Sequence, residues 1–188
     1  MKSGLSEQEL AQRCREGSME AFEELYARCS RAVYRYAYRM LNDADEADDV
    51  MQETFVRAFR MLPHFRGECN LLTWLIKIAS NLCRDRYKTR MRRREVPFDD
   101  QLANRPDNSL WGRDPADIIV QQDLQERVRR VLAALPAAHR EVIVLRDFED
   151  LSYQEIAQIL DCSISSIKLR LFRARRAFRE RLESLLKA

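Results

Sequence analysis

The carboxy-terminal stretch LSYQEIAQILDCSISSIKLRLFRARRAFRERL leaves little freedom in how it folds. Turning each residue 100° from its predecessor puts Ile167, Leu171, Ala174, Phe178, Leu182 and Leu185 within a stripe of about 80°. This spacing predicts a helix from about Ser165 that packs along one side. Upstream, Ser152 and Glu155 stand three apart, the pattern of a capping box, and open a shorter helix. Asp161-Cys162-Ser163 supplies the turn between the two. The outer arc of the long helix carries Lys168, Leu169, Phe172, Arg173, Arg176 and Arg179. A short helix, a tight turn and a second helix with a basic outer face form a helix-turn-helix, whose second helix enters the DNA major groove. A merely solvated face would seldom hold Leu169 and Phe172 between arginines.

The rest of the chain reads as helix too, so the fold class is all-α. Only four glycines occur in 188 residues, where average usage would give about 13. A first lobe is expected over residues 5–94. Ser18 caps a helix with Phe22, Leu25, Tyr26, Cys29, Val33, Ala37 and Met40 on its core side, ending near Asn42. A second helix opens at Asp43 or Asp45, where acids suit the positive helix end, and continues through Val50, Met51, Phe55, Phe59 and Leu62. His64 to Asn70 forms a short loop around Gly67. A third helix, about 70–93, buries Leu71, Leu75, Ile78 and Leu82 and gathers Trp74, Lys77, Asn81, Arg84 and Lys88 on another face. That face is either solvated, with Trp74 against a neighbour, or a nucleic-acid surface, where cations hold phosphates and rings stack on bases.

Residues 95–116, with Pro97, Pro106, Gly112 and Pro115, are expected to be a flexible linker in which Asp99 and Asp100 are solvated and Trp111 offers an anchor. The second lobe spans 117–188. Its first helix places Ile119, Leu124, Val128, Leu132 and Leu135 on the buried side, and the next buries Val142, Leu145 and Phe148. Two small helical domains joined by a linker are thus predicted.

Charge is sorted along the chain although the formal net charge is only +3. Residues 42–53 hold six acidic groups and no basic one, residues 84–94 hold seven basic groups against Asp85, and 168–181 is basic again. At least two kinds of partner are implied. Cys14, Cys29, Cys69, Cys83 and Cys162 are widely spaced, without CxxC or a neighbouring His pair, so neither a zinc site nor a disulfide framework is expected. Cys29 and Cys83 fall at apolar helical positions and read as reduced core residues. The amino terminus lacks a signal-peptide core, and no apolar run is long enough for membrane insertion. No phosphate-binding glycine loop and no catalytic constellation is present, and His64 and His139 lie in different lobes. His139, in PAAHREVIVLR, reads as a helix-surface or packing residue. No enzymatic activity, metal or cofactor is predicted.

Two segments together, DADEADDVMQETFVRAFRMLPHFRGECNLLTWLIKIASNLCRDRYKTR and LPAAHREVIVLRDFEDLSYQEIAQILDCSISSIKLRLFRAR, resemble the extracytoplasmic-function sigma factors of bacterial RNA polymerase. The resemblance spans nearly the whole chain, including lobe order and linker. It implies a non-catalytic specificity subunit that joins core RNA polymerase, recognises promoter DNA and helps open it. Asp48, Asp49, Gln52 and Glu53 would then dock on the clamp of the largest polymerase subunit. Phe65, Arg66, Gly67, Glu68, Cys69 and Asn70 of the loop, with Trp74, Lys77, Asn81 and Arg84, would open the minus-10 element and capture a flipped base. Lys168, Leu169, Phe172 and Arg173 would approach base edges of the minus-35 element. Ser165, Ser166, Arg170, Arg175 and Arg176 would hold phosphates. An anti-sigma factor that covers both lobes is a further implied partner, as is a cytoplasmic location in which that partner can hold the chain near the membrane. The alternative is a free-standing helix-turn-helix regulator.

Overall fold

Side chains that bond the first turn of their own helix set where many of the elements begin. The computed structural model describes residues 5–94 and 115–187, with side chains described to Arg92 and again from Leu124. The Ser6 hydroxyl accepts from the Glu9 amide and starts α1 (Glu7–Arg15), and Ser18 accepts from the Ala21 amide at the head of α2 (Met19–Leu41). Asp43 accepts from the Glu46 amide and starts α3 (Ala44–Met61). Each such bond satisfies an amide that the helix itself leaves unpaired and contributes about 1 kcal/mol. A 3-10 turn over Leu62–His64 and a loop lead into α4 (Leu71–Arg94). Gly67 has φ +74°, a left-handed conformation that disfavours a side chain at this loop position.

The second group of helices is α5 (Pro115–Ala134), α6 (Ala137–Ile143), α7 (Tyr153–Leu160) and α8 (Ile164–Lys187), with a π-helical turn at Val144–Phe148 extending α6. Helix α5 already starts at Pro115, within the expected linker. The remainder of that linker, including Asp99, Asp100 and Trp111, lies outside the described residues, as does the Ile119 side chain. The capping box expected at the start of α7 is present: Ser152 accepts from the Glu155 amide while the Glu155 carboxylate accepts from the Ser152 amide. Asp161, at φ 49°, ends α7 in a left-handed cap that makes the tight turn, and the Ser163 hydroxyl accepts from the Ser166 amide to start α8.

The all-α architecture of two helical sub-bundles is as expected, and most predicted core positions are buried. Leu25, Val33, Val50, Leu75, Val142, Leu145 and Ile167 are completely enclosed. Four expectations are corrected, the first at Tyr26, which is 42% exposed with its ring edge-on to Phe55 at 4.7 Å. Leu124 is 55% exposed, whereas Val128, one turn farther along α5, packs against the cluster of Leu132, Leu135 and Leu171. Phe148 is 36% exposed and lies under the Arg39 guanidinium at 4.8 Å. Phe59 is 46% exposed, held edge-on to Phe22 at 5.0 Å.

The two sub-bundles share one apolar core. Val144, Leu145, Leu151, Ile156, Ile159 and Ile167 of the second join the buried residues of the first. A smaller cluster of Leu132, Leu135, Val142, Ile143, Leu171 and Ala174 belongs to the second alone. The join is also polar. Arg140, 5% exposed, donates to the Leu132, Ala133 and Leu135 carbonyls at the end of α5 and to the Met40 carbonyl of α2. One guanidinium thus donates to carbonyls at the ends of two helices.

Candidate nucleic-acid and protein interfaces

Helix α8 projects its outer face because Ile167, Leu171 and Ala174 anchor its inner face. Phe172 is 69% exposed and Leu169 50% exposed, with Lys168 and Arg173 exposed beside them. The Lys168 ammonium stands 5.7 Å from the centre of the Tyr153 ring, which steadies it without neutralising it. Among the described residues Arg170 and Arg173 make no ion pair. Arg175 is different: its guanidinium binds the Asp147 carboxylate, which raises its already high pKa through that hydrogen bond. Arg176 pairs with Glu180 at 2.9 Å, an exposed contact worth at most about 1 kcal/mol. Ser165 and Ser166 are exposed in the first turn. All the predicted residues of this helix therefore fall on one accessible side or its flanks.

Seven of the ten residues predicted to face DNA in the first sub-bundle also come together, Gly67, Asn70 and Arg84 standing outside the group. Phe65, Arg66, Glu68, Cys69, Trp74, Lys77 and Asn81 line a cleft of ≈ 530 Å³ between the loop and α4. Phe65 is the most buried of these cleft residues. It is 7% exposed and packs on Trp74 with ring centres 5.0 Å apart, so it supports the wall of the cleft. Burial raises the Cys69 thiol pKa and disfavours a reactive thiolate there.

The opposite wall of this cleft is the second sub-bundle, through Gln158, Ile159 and Asp161. Carboxylates of that sub-bundle bond residues expected to face DNA. Asp161 accepts from the Lys77 ammonium at 2.7 Å, and Glu155 accepts from Asn70 at 2.7 Å and from Thr73 at 2.9 Å. Glu141, 5% exposed, accepts from Arg84 at 3.2 Å, Ser80 at 2.6 Å and Tyr36 at 3.1 Å. Burial first, and then the Glu141 charge, raise the Tyr36 pKa far up, so its hydroxyl stays a donor. Glu149 accepts from Arg39 at 2.7 Å with Arg35 at 3.6 Å, and burial still raises its pKa. The sequence offers no hint of these partners, since nothing in the periodicity of one helix reports a contact 57 to 110 residues away.

On α3 the acidic residues lie apart from that cleft. Asp49 and Gln52 are exposed, and Asp48 and Glu53 are half-buried. Arg86 of α4 reaches Asp49 at 3.3 Å and Glu53 at 3.7 Å, while Arg90 reaches Asp43 and Glu46. The basic run thus partly folds back on the acidic one, yet the Asp49 side chain keeps 65% exposure. Val56 and Phe59, 52% and 46% exposed, follow the acids along the helix. An apolar patch with a charged rim is the composition of a protein-binding surface. Exposed apolar residues one and two turns beyond a run of acids are the signal by which sequence reasoning could have added Val56 and Phe59.

Among the described residues no cluster of three or more His, Cys, Asp or Glu is placed to hold a metal ion, and no helix is long and apolar enough to cross a membrane. The five cysteines are unpaired, and Cys14, Cys29 and Cys83 are buried. Burial, with the Glu7 charge, pushes the Cys29 thiol to about 11.

An all-helical pair of sub-bundles, one presenting a helix-turn-helix with a basic outer face and the other an exposed acidic helix face beside a polar cleft, places the chain in the class of helix-turn-helix DNA-binding proteins. Comparison with known proteins narrows this class. Residues 25–93 match the family model of Sigma-70 region 2, and residues 125–178 that of Sigma-70, region 4. The chain is 32% identical over 185 residues to the RNA polymerase sigma-H factor of Pseudomonas aeruginosa, covering 96% of each chain. It is 33% identical over 193 residues to the ECF RNA polymerase sigma-E factor of Escherichia coli, covering 100% of each. The sigma factor RpoE of Bartonella quintana, solved with the anti-sigma factor NepR, superposes with a TM-score of 0.68 at 27% identity, covering 88% of this chain and 98% of that one. CnrH, solved with the cytosolic domain of CnrY, gives 0.68 at 28% identity and covers 96% and 97%. The chain belongs to the extracytoplasmic-function sigma factors of the sigma-70 family. It is a transcription-initiation factor and not an enzyme.

Proposed function

We propose that this chain reads both promoter elements for core RNA polymerase in the cytoplasm, the minus-35 element with α8 and the minus-10 element with the loop and α4. The observation that carries the reading is the division of the surface by sign. Lys168, Leu169, Phe172 and Arg173 form an exposed cationic and apolar strip suited to base edges, a guanidinium pairing with guanine and an apolar side chain meeting a thymine methyl. Ser165, Ser166, Arg170, Arg175 and Arg176 flank that strip as phosphate contacts. Asp48, Asp49, Gln52 and Glu53, continued by Val56 and Phe59, form a separate patch that DNA would repel and a basic protein surface would attract. This patch docks on the clamp of the largest polymerase subunit.

Phe65, Arg66, Glu68, Cys69, Trp74, Lys77 and Asn81 line the cleft where an extruded base of the minus-10 element is received, and Gly67 and Asn70 of the same loop and Arg84 of α4 complete the surface that meets it. Stacking on a ring returns about 1–3 kcal/mol per base. Because Asn70, Lys77 and Arg84 bond carboxylates of the second sub-bundle, promoter engagement requires the two sub-bundles to separate. An anti-sigma factor, the kind of partner with which the matched RpoE of Bartonella quintana was solved, is expected to hold this closed arrangement and to place the chain near the membrane.

The test is reconstitution with core RNA polymerase on a randomised promoter library, with Asp49→Lys plus Glu53→Lys as the comparison. Wild-type chain is expected to yield RNA from a defined set of promoters, and the charge-reversed chain to lose core association. Sequence-specific DNA binding in the absence of polymerase, with no stimulation of transcription in its presence, would favour a free-standing regulator.

A further inference from the structure

Away from the cleft, a second recess of ≈ 320 Å³ opens between the start of α6 and the flank of α8. Ala138 and His139 form one side, and Ser166, Leu169, Arg170 and Arg173 the other. Ser166, Arg170 and Arg173 recur at four- and three-residue spacing and so share one side of their helix. No carboxylate lines the recess, and neither of its two arginines pairs with a described acid. Elsewhere arginines are repeatedly matched: Arg86, Arg90, Arg129, Arg175 and Arg176 all face carboxylates. A concave site with two guanidiniums, a hydroxyl and an imidazole, and no acid, is built for an anion.

His139 is held in place by its backbone, whose amide donates to the Pro136 carbonyl at 2.9 Å. Its Nδ1 is shut off from solvent and has no hydrogen-bond partner. A neutral imidazole carries one proton. Placing it on Nδ1 would bury an unmatched N–H, whereas a bare ring nitrogen there sacrifices only an acceptor; the proton belongs on Nε2, the nitrogen left to donate outward.

We propose that His139, together with Ser166 and Arg170, seats one backbone phosphate of duplex DNA beside the major groove entered by α8. This rests on the minus-35 reading above and deepens it. The contact comes from α6, outside the recognition helix, and clamps a phosphate between two helices. Arg173 stands at the rim, between the phosphate and the base edges. Gripping one phosphate from two helices fixes the angle at which α8 enters the groove, since phosphate contacts set register and orientation while base contacts specify.

The experiment measures binding of the holoenzyme, core polymerase with the full chain, to promoter duplexes carrying a neutral methylphosphonate at one minus-35 phosphate at a time. At one or two adjacent positions neutralisation should weaken wild-type binding about tenfold, as expected for a lost charged hydrogen bond. His139→Ala should bind unmodified promoter about five- to tenfold more weakly, equally across base variants, and lose sensitivity at those same positions. His139→Gln, which keeps a side-chain donor, should recover much of the affinity. A wild-type melting temperature and normal core association for His139→Ala separate loss of the contact from loss of fold. Replacing chloride by inorganic phosphate at fixed ionic strength should change nothing; competition by millimolar phosphate would overturn the duplex assignment in favour of a free-anion site. A His139→Ala profile with the same sensitive positions as wild type overturns the seat while leaving the sigma reading intact. Wild-type holoenzyme insensitive at every position overturns both.

Discussion

Glu141 shows how much can turn on one carboxylate. Its three hydrogen-bond donors, Tyr36, Ser80 and Arg84, all come from the first sub-bundle. Taking a charge out of water is costly unless it is fully hydrogen-bonded, and these donors meet that requirement. Removing the carboxylate leaves Tyr36 and Ser80 buried without an acceptor, a loss of about 1–3 kcal/mol. Glu141→Ala should therefore lower the melting temperature by about 2–4 °C per kcal/mol lost. It should also raise non-specific DNA affinity, because Arg84 loses its partner. Calorimetry and a fluorescence titration with a random duplex measure the two effects; an unchanged melting temperature with unchanged DNA affinity contradicts this role.

At the level of elements, most of what positions the DNA-reading helix was legible in the sequence. The capping box of Ser152 and Glu155, the turn at Asp161 and the inner stripe of α8 were each set by local rules: a side chain bonding its own helix start, and apolar residues at helical spacing. Helix α1 went unread as an element, although its Ser6–Glu9 capping box follows the same rule. Phe59 and Leu124 were misplaced because a periodic stripe says which side of a helix is apolar and not how far its neighbours extend to cover it. Glu155 has a second duty that no local rule contains, accepting from Asn70 and Thr73 of the other sub-bundle. Burial raises its pKa, but the bonds from Ser152, Thr73 and Asn70 outweigh that and hold it below the ordinary value of 4.5. A depressed carboxyl pKa adds stability that is complete above the unfolded value and is lost as pH falls through the folded one. Stability of the wild type should therefore drop below about pH 4.5 by an increment that Glu155→Gln lacks. Urea melts between pH 3 and 6 check it; parallel pH profiles for the two proteins would contradict it.

Across the whole molecule, the arrangement of the two sub-bundles was the part hidden from the sequence. Their order and helical class followed from periodicity, and their acidic and basic runs were visible as composition. That Glu141, Glu149, Glu155 and Asp161 of the second would meet Arg84, Arg39, Asn70 and Lys77 of the first depends on tertiary packing alone. Glu141, Glu155 and Asp161 occupy cations and an amide proposed for DNA, so the closed molecule covers part of the face proposed for the minus-10 element while leaving Leu169 and Phe172 exposed. Polymerase and promoter together must therefore exchange these intramolecular bonds for contacts with DNA. The direct measurement is energy transfer between dyes on non-natural residues at positions 45 and 183, one in each sub-bundle and both exposed. High transfer is predicted for the free chain, falling to low transfer when the holoenzyme forms an open complex on its promoter. Unchanged high transfer in an open complex that is making RNA would contradict it.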